Sequence, residues 1–148
     1  MKKRLITFAF TLMTLAMTCM PGYAKTQTFN DIVKDAVQGM KEQCPMDYGG
    51  VTMTDIDVQM DYLIMYMDIP FSSDVLAPEV FRELLRDEMI SSYAAEDMSL
   101  FADMLIVCDM GLECYITFED GEKTIILFTP REFAELITAE REAMAQGF

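Results

Sequence analysis

The segment that decides the fold is residues 54–69, TDIDVQMDYLIMYMDI. In its first part apolar side chains alternate with aspartates, and this period of two predicts a half-buried strand over Thr54–Asp61. The pair Met60–Asp61 predicts a tight turn, after which Tyr62–Ile69 predicts a returning strand. The segment therefore predicts a β-hairpin.

The returning strand has one apolar face and one face that carries tyrosines. The apolar face consists of Leu63, Met65, Met67 and Ile69, and the other of Tyr62, Ile64, Tyr66 and Asp68. Because tyrosine is enriched at protein interfaces, Tyr62 and Tyr66 are the candidate contact surface. The alternative is that a helix covers both tyrosines.

The elements on either side of the hairpin complete the fold prediction. Apolar spacing and capping residues predict a helix from a cap at Thr28 or Asn30 to about Glu42, and two helices that begin near Pro78 and Glu96. A second hairpin is predicted from Cys114–Phe118 and Thr124–Phe128. A last helix is predicted to begin at Thr129-Pro130. Gly111 is expected to end the helix before the second hairpin in a left-handed conformation. The order predicts a small single α+β domain over residues 25–148, with an antiparallel sheet and helices packed on one face. Similar residues around Cys44 and Cys108 leave a duplicated helix–hairpin unit open.

Residues 1–24 have the pattern of a secretory signal peptide. A basic head at residues 2–4 precedes an uncharged run, and Gly22 and Ala24 give the small–x–small end that predicts cleavage between Ala24 and Lys25. The run has about 16 residues, which is shorter than a bilayer span. The sequence therefore predicts an exported protein, periplasmic or secreted. The alternative is lipidation of Cys19, which would anchor the protein to a membrane.

The composition restricts the classes of partner and chemistry. Without the leader, 8 basic residues face 25 acidic ones, a net charge of −17, which argues against nucleic acid and anionic lipid as partners. The chain contains no histidine, so it has no Ser–His or Cys–His catalytic pair and no imidazole metal site. No catalytic residue, cofactor site or metal site is predicted, and a membrane partner is expected only if Cys19 is lipidated.

Three cysteines follow the leader: Cys44, Cys108 and Cys114. Outside the cytoplasm this odd number allows at most one intramolecular disulfide. Cys108 with Cys114 and Cys44 with Cys108 are equal candidates, and the sequence does not choose between them. The spacing lacks the Cys-x-x-Cys pattern of a redox pair.

Two further patterns are interpreted as structural. Asp55, Asp57 and Asp61 form a ladder of acids, but the loop lacks the glycine and glutamate that an EF-hand requires. The chain after the leader is rich in methionine, which outside the cytoplasm can bind Cu(I). Since Met65 and Met67 share a strand face with leucine and isoleucine, they are interpreted as core residues.

The segment Cys44-Pro45-Met46-Asp47, the strand Thr52–Thr54 and the tyrosine-rich strand Tyr62–Tyr66 resemble an uncharacterised family of small exported proteins from gut-dwelling Gram-negative anaerobes. The second half of the chain, with Tyr115 and Thr129-Pro130, follows the same pattern. This family has no assigned activity, so the resemblance implies a fold and an exported location and assigns no functional residue.

The sequence thus favours a non-enzymatic binding module of the cell envelope, with another envelope or extracellular protein as its partner. The alternatives are a small envelope enzyme that uses carboxylates or a thiol, and a methionine-based metal-binding protein.

Overall fold

A computed structural model describes residues 29–48 and 50–147. Its elements are helices α1 (Phe29–Gln43), α2 (Pro78–Ala94), α3 (Ser99–Val107) and α4 (Pro130–Ala145), a 3₁₀ turn at Glu96–Met98, and strands β1 (Met46–Tyr48), β2 (Val51–Gln59), β3 (Tyr62–Asp68), β4 (Gly111–Thr117) and β5 (Lys123–Phe128). The strands form one sheet in the order β1-β2-β3-β4-β5. The predicted class, a small α+β domain with helices packed on a sheet, is confirmed.

The first hairpin forms as predicted. Strands β2 and β3 pair antiparallel around a two-residue turn, in which Met60 has a φ of 53°. Met60 is 94 % exposed, so its apolar side chain lies outside the core. Strand β2 begins at Val51, three residues before the predicted start. The sequence did not predict β1, because three residues are too few to show a period of two.

The centre of the sheet differs from the prediction in one respect. Three neighbouring strand pairs are antiparallel, whereas β3 and β4 run parallel. Parallel neighbours require a long crossover, and residues 69–110, which contain α2, the 3₁₀ turn and α3, supply it. The two hairpins therefore lie side by side, and their duplication stays a prediction.

The prediction that Gly111 ends a helix in a left-handed conformation is wrong. Asp109 has the positive φ, 53°, and Gly111 is the first residue of β4. Aspartate tolerates the left-handed region better than most residues, so the turn does not need a glycine. Gly111 is required for another reason, since a side chain there would collide with its neighbours.

The last helix begins as its sequence predicts. Pro130 occupies the first turn, and the Thr129 hydroxyl accepts a hydrogen bond from the backbone N–H of Glu132 at 3.2 Å. Of the two predicted caps of the first helix, Asn30 is already helical, and Thr28 lies outside the described residues. The leader, the cleavage position and Cys19 also lie outside them.

One face of the sheet forms the core with the four helices. Its fully buried members include Met53, Ile56, Leu63, Met65, Leu112, Cys114, Phe128 and, from the helices, Met40, Leu105 and Phe133. The other face carries no helix within the described residues. None of the described helices has both the length and the apolar character needed to cross a membrane.

Candidate functional site

The uncovered face of the sheet is the candidate site, and the strand register arranges its side chains in rows. The rows are Thr52–Asp68–Thr117–Lys123, then Asp55–Tyr66–Tyr115–Ile125, then Asp57–Ile64–Glu113–Leu127, then Gln59–Tyr62–Gly111. We call these residues the open face. The predicted contact residues Tyr62 and Tyr66 both lie on it, on the side opposite the helices, and are half-buried by their neighbours.

Two tyrosines stack at the centre of the open face. The rings of Tyr66 and Tyr115 have centroids 5.2 Å apart and an interplanar angle of 17°. The Tyr115 hydroxyl donates a hydrogen bond to Glu113 at 2.9 Å, and this bond raises the pKa of Tyr115. The Tyr115 phenol therefore stays neutral at physiological pH and is held in one orientation.

Close packing also fixes other side chains of the open face. The ring of Tyr62 lies so near Gly111 that an added Cβ would come within 2.6 Å of it. Ile64, in the neighbouring row, is only 5 % exposed although it is on the face without helices. The open face is therefore an ordered, partly apolar surface.

A shallow groove of about 190 Å³ runs beside the stacked rings. Its lining includes Tyr66, Asp68, Tyr115, Thr117, Lys123 and Ile125. On β5, Ile125 is 50 % and Leu127 44 % exposed, so the apolar surface continues to the edge of the sheet. Aromatic, apolar and charged groups meet here in the mixture that protein interfaces use.

The three thiols are not arranged for catalysis. Cys44, Cys108 and Cys114 are free, and no disulfide joins the cysteines of the described residues. Burial raises the pKa of all three thiols, and for Cys114, in the core, to about 12. A reactive cysteine has a lowered pKa, so these environments favour packing. The pairing of the cysteines in an oxidising compartment stays a prediction.

The acid ladder has a structural role at the free edge of β2. Beyond β1, no strand of the described residues pairs with this edge of β2. There the carboxylates of Asp55 and Asp57 accept hydrogen bonds from the backbone N–H groups of Ile56 and Val58 at 2.9 and 2.8 Å. Lys41 of α1 holds Asp55 through an ion pair at 2.9 Å, which lowers the Asp55 pKa. Charged side chains that satisfy edge N–H groups oppose pairing with another strand.

Removing one of these carboxylates should expose the edge. We expect Asp57→Ala to lower the free energy of unfolding by about 1 kcal/mol, because the Val58 N–H loses its acceptor, and to increase self-association. Sedimentation velocity at several concentrations measures the association. Asp74→Ala, the same charge change in an exposed loop, is the control. Equal association of the two variants would contradict the role given to Asp57.

The metal hypotheses find no geometric support in the described residues. Met65 and Met67 are buried beneath the helices, as their apolar neighbours in the sequence suggested. Residues 29–48 and 50–147 contain no group of three or more acidic or cysteine side chains placed to hold a metal ion.

Sequence reasoning missed part of the site. Tyr115, Ile125 and Leu127 join the open face only because β4 lies parallel beside β3 and β5 follows it. The alternation of Ile125 and Leu127 with buried Ile126 and Phe128 was a usable signal. The strand order had no such signal in the sequence, because it depends on contacts between distant segments.

Comparison with known proteins finds solved structures with a similar fold. No protein-family model and no curated protein matches the chain. One similar structure is the pilotin EpsS from the Vibrio vulnificus type 2 secretion system, at 14 % identity and a TM-score of 0.51, over 68 % of this chain and 86 % of that one. Another is a candidate secreted protein from Pseudomonas aeruginosa, at 10 % identity and a TM-score of 0.51, over 76 % and 99 % of the two chains. At these identities the similarity establishes the fold alone.

Proposed function

We propose that this protein is a non-enzymatic interaction module of the cell envelope, which binds another envelope or extracellular protein through its open face. The leader at residues 1–24 supports export, and the charge of −14 on the full chain disfavours nucleic acid and anionic lipid. Cleavage after Ala24 would release the protein, whereas lipidation of Cys19 would anchor it.

The proposal rests on the open face, which no helix of the described residues covers. Helices bury one side of the sheet, while the other presents the stacked Tyr66 and Tyr115 beside a groove. Tyrosine gives a large contact area at a low entropic cost, because only two side-chain torsions must be fixed. The exposed Ile125 and Leu127 extend this surface with apolar area.

The structural neighbours support the same class. One is named as a pilotin of a secretion system and the other as a candidate secreted protein, so both names concern export or the envelope. Neither name describes an enzyme.

The chemistry of the described residues does not favour the enzyme alternative. The thiol pKa values are raised, and the carboxyl groups of Asp55 and Asp120 have lowered pKa values because lysine or serine side chains bind them. A general acid at neutral pH needs the opposite shift. These acids are therefore held as structural carboxylates.

Co-purification from the native envelope tests the proposal. We expect Tyr66→Lys to reduce recovery of a stoichiometric partner at least tenfold, because it removes the ring stack and places a charge at the centre of the open face. The matched control is Leu84→Lys, since Leu84 is a half-exposed apolar residue on α2, in the helical layer. Equal loss of partner by both variants, or no loss by Tyr66→Lys, would refute the open face as the binding surface.

A further inference from the structure

We propose that the groove beside Tyr66 and Tyr115 receives an arginine side chain of the partner protein. This inference rests on the proposed function and adds the chemistry of the contact. The guanidinium group would stack on the rings of Tyr66 and Tyr115 and pair with the carboxylate of Asp68.

The register places the required groups around one point. Asp68, Thr117 and Lys123 form one row across β3, β4 and β5, and the stacked tyrosines form the next row. Neighbouring strands are about 4.8 Å apart, so the Cα atoms of Asp68 and Lys123 are separated by roughly 10 Å. Thr117 lies between them in the lining of the groove. Asp68 itself is exposed and lines the groove.

The charges favour a cation. The rows of the open face carry four carboxylates and one ammonium group, that of Lys123. Lys41 of α1 pairs with Asp55, which leaves Asp57, Asp68 and Glu113. Among the described residues no salt bridge involves any of these three acids; the acids in salt bridges are Asp55, Glu83, Asp103, Glu132 and Glu135. The net charge of −14 attracts basic partners from a distance.

The aromatic pair selects arginine over lysine. A guanidinium group is planar, stacks on tyrosine rings and binds a carboxylate through two parallel N–H groups, while an ammonium group does neither. The ring faces also attract a cation directly. Because the Tyr115 hydroxyl donates to Glu113, its oxygen keeps lone pairs that accept a hydrogen bond from an incoming donor.

Titration of the purified protein with N-acetyl-arginine amide, followed by NMR, tests the inference. We expect saturable shifts confined to residues 66–68, 115–117 and 123–125. Asp68→Asn should weaken binding at least fivefold because the carboxylate charge is lost. Lys123→Gln should strengthen binding at least twofold because a like charge is removed. Asp74→Asn, an acid outside the open face, should leave binding unchanged.

The outcomes separate this inference from the proposed function. Shifts spread over many surface acids, or equal binding by wild type and Asp68→Asn, would overturn the arginine site. Tighter binding of N-acetyl-glutamate amide, lost in Lys123→Gln, would also overturn it. If the arginine probe fails while Tyr66→Lys still loses the partner, the proposed function stands and only the arginine site is rejected.

Discussion

Gly111→Ala is expected to lower the free energy of unfolding by about 3 kcal/mol or more, a large fraction of the stability of a small domain. A Cβ at this position would come within 2.3 Å of the Phe128 carbonyl oxygen and within 2.6 Å of the Tyr62 ring. The oxygen belongs to the neighbouring strand β5, so the sheet itself must shift. Urea unfolding of the two proteins measures the loss.

Gly121→Ala is the matched control for this prediction. Gly121 has a φ of 89° in the β4–β5 turn, and its added Cβ would meet no atom within 4 Å. We expect it to cost about 1 kcal/mol, from backbone strain alone. If Gly111→Ala costs no more than Gly121→Ala, the close packing of Tyr62 and Phe128 on β4 is wrong.

Alkaline pH is expected to destabilise the protein by about 4 kcal/mol between pH 9 and pH 12 through Cys114 alone. Burial raises the pKa of this thiol from about 9 to about 12, so the folded protein holds a proton that the unfolded chain releases. The protonated Cys114 thiol contributes its full stabilisation below pH 9. This contribution disappears as the pH rises to about 12, the pKa of the thiol in the folded protein. Tyr93, also buried, has a raised pKa and adds a second loss above pH 10.

Urea unfolding of the reduced protein at a series of pH values checks this prediction. Between pH 9 and pH 12 the free energy of unfolding of Cys114→Ala should fall less steeply with pH, by about 1.4 kcal/mol per pH unit. The reason is that one fewer proton is released on unfolding. Cys108→Ala should flatten it less, since Cys108 is only partly buried. An unchanged slope in Cys114→Ala would show that this thiol is not protected in the core.

The sequence predicts the local structure well where the period is long or a cap is present. The first part of residues 54–69 alternates apolar and polar side chains and ends in a turn, and the hairpin follows this pattern. Thr129 and Pro130 mark the last helix for the same local reason. The strand β1 and the conformation of Asp109 depend instead on short segments and on tertiary packing.

The candidate site was predictable only in part. Tyr62 and Tyr66 follow from the alternation along one strand, and both lie on the open face. Tyr115 joins them from a segment almost fifty residues later, through the parallel pairing of β3 and β4. That pairing is set by the crossover through α2 and α3, and no local pattern in either strand encodes it.

The most direct test of the open face as the binding surface is photocrosslinking in the native host. A photoreactive phenylalanine derivative replaces Tyr66 in one strain and Leu84, on the helical layer, in another. We predict that illumination joins position 66 to one envelope or extracellular protein and leaves position 84 without that adduct. An adduct formed at position 84 and not at position 66 would contradict the account.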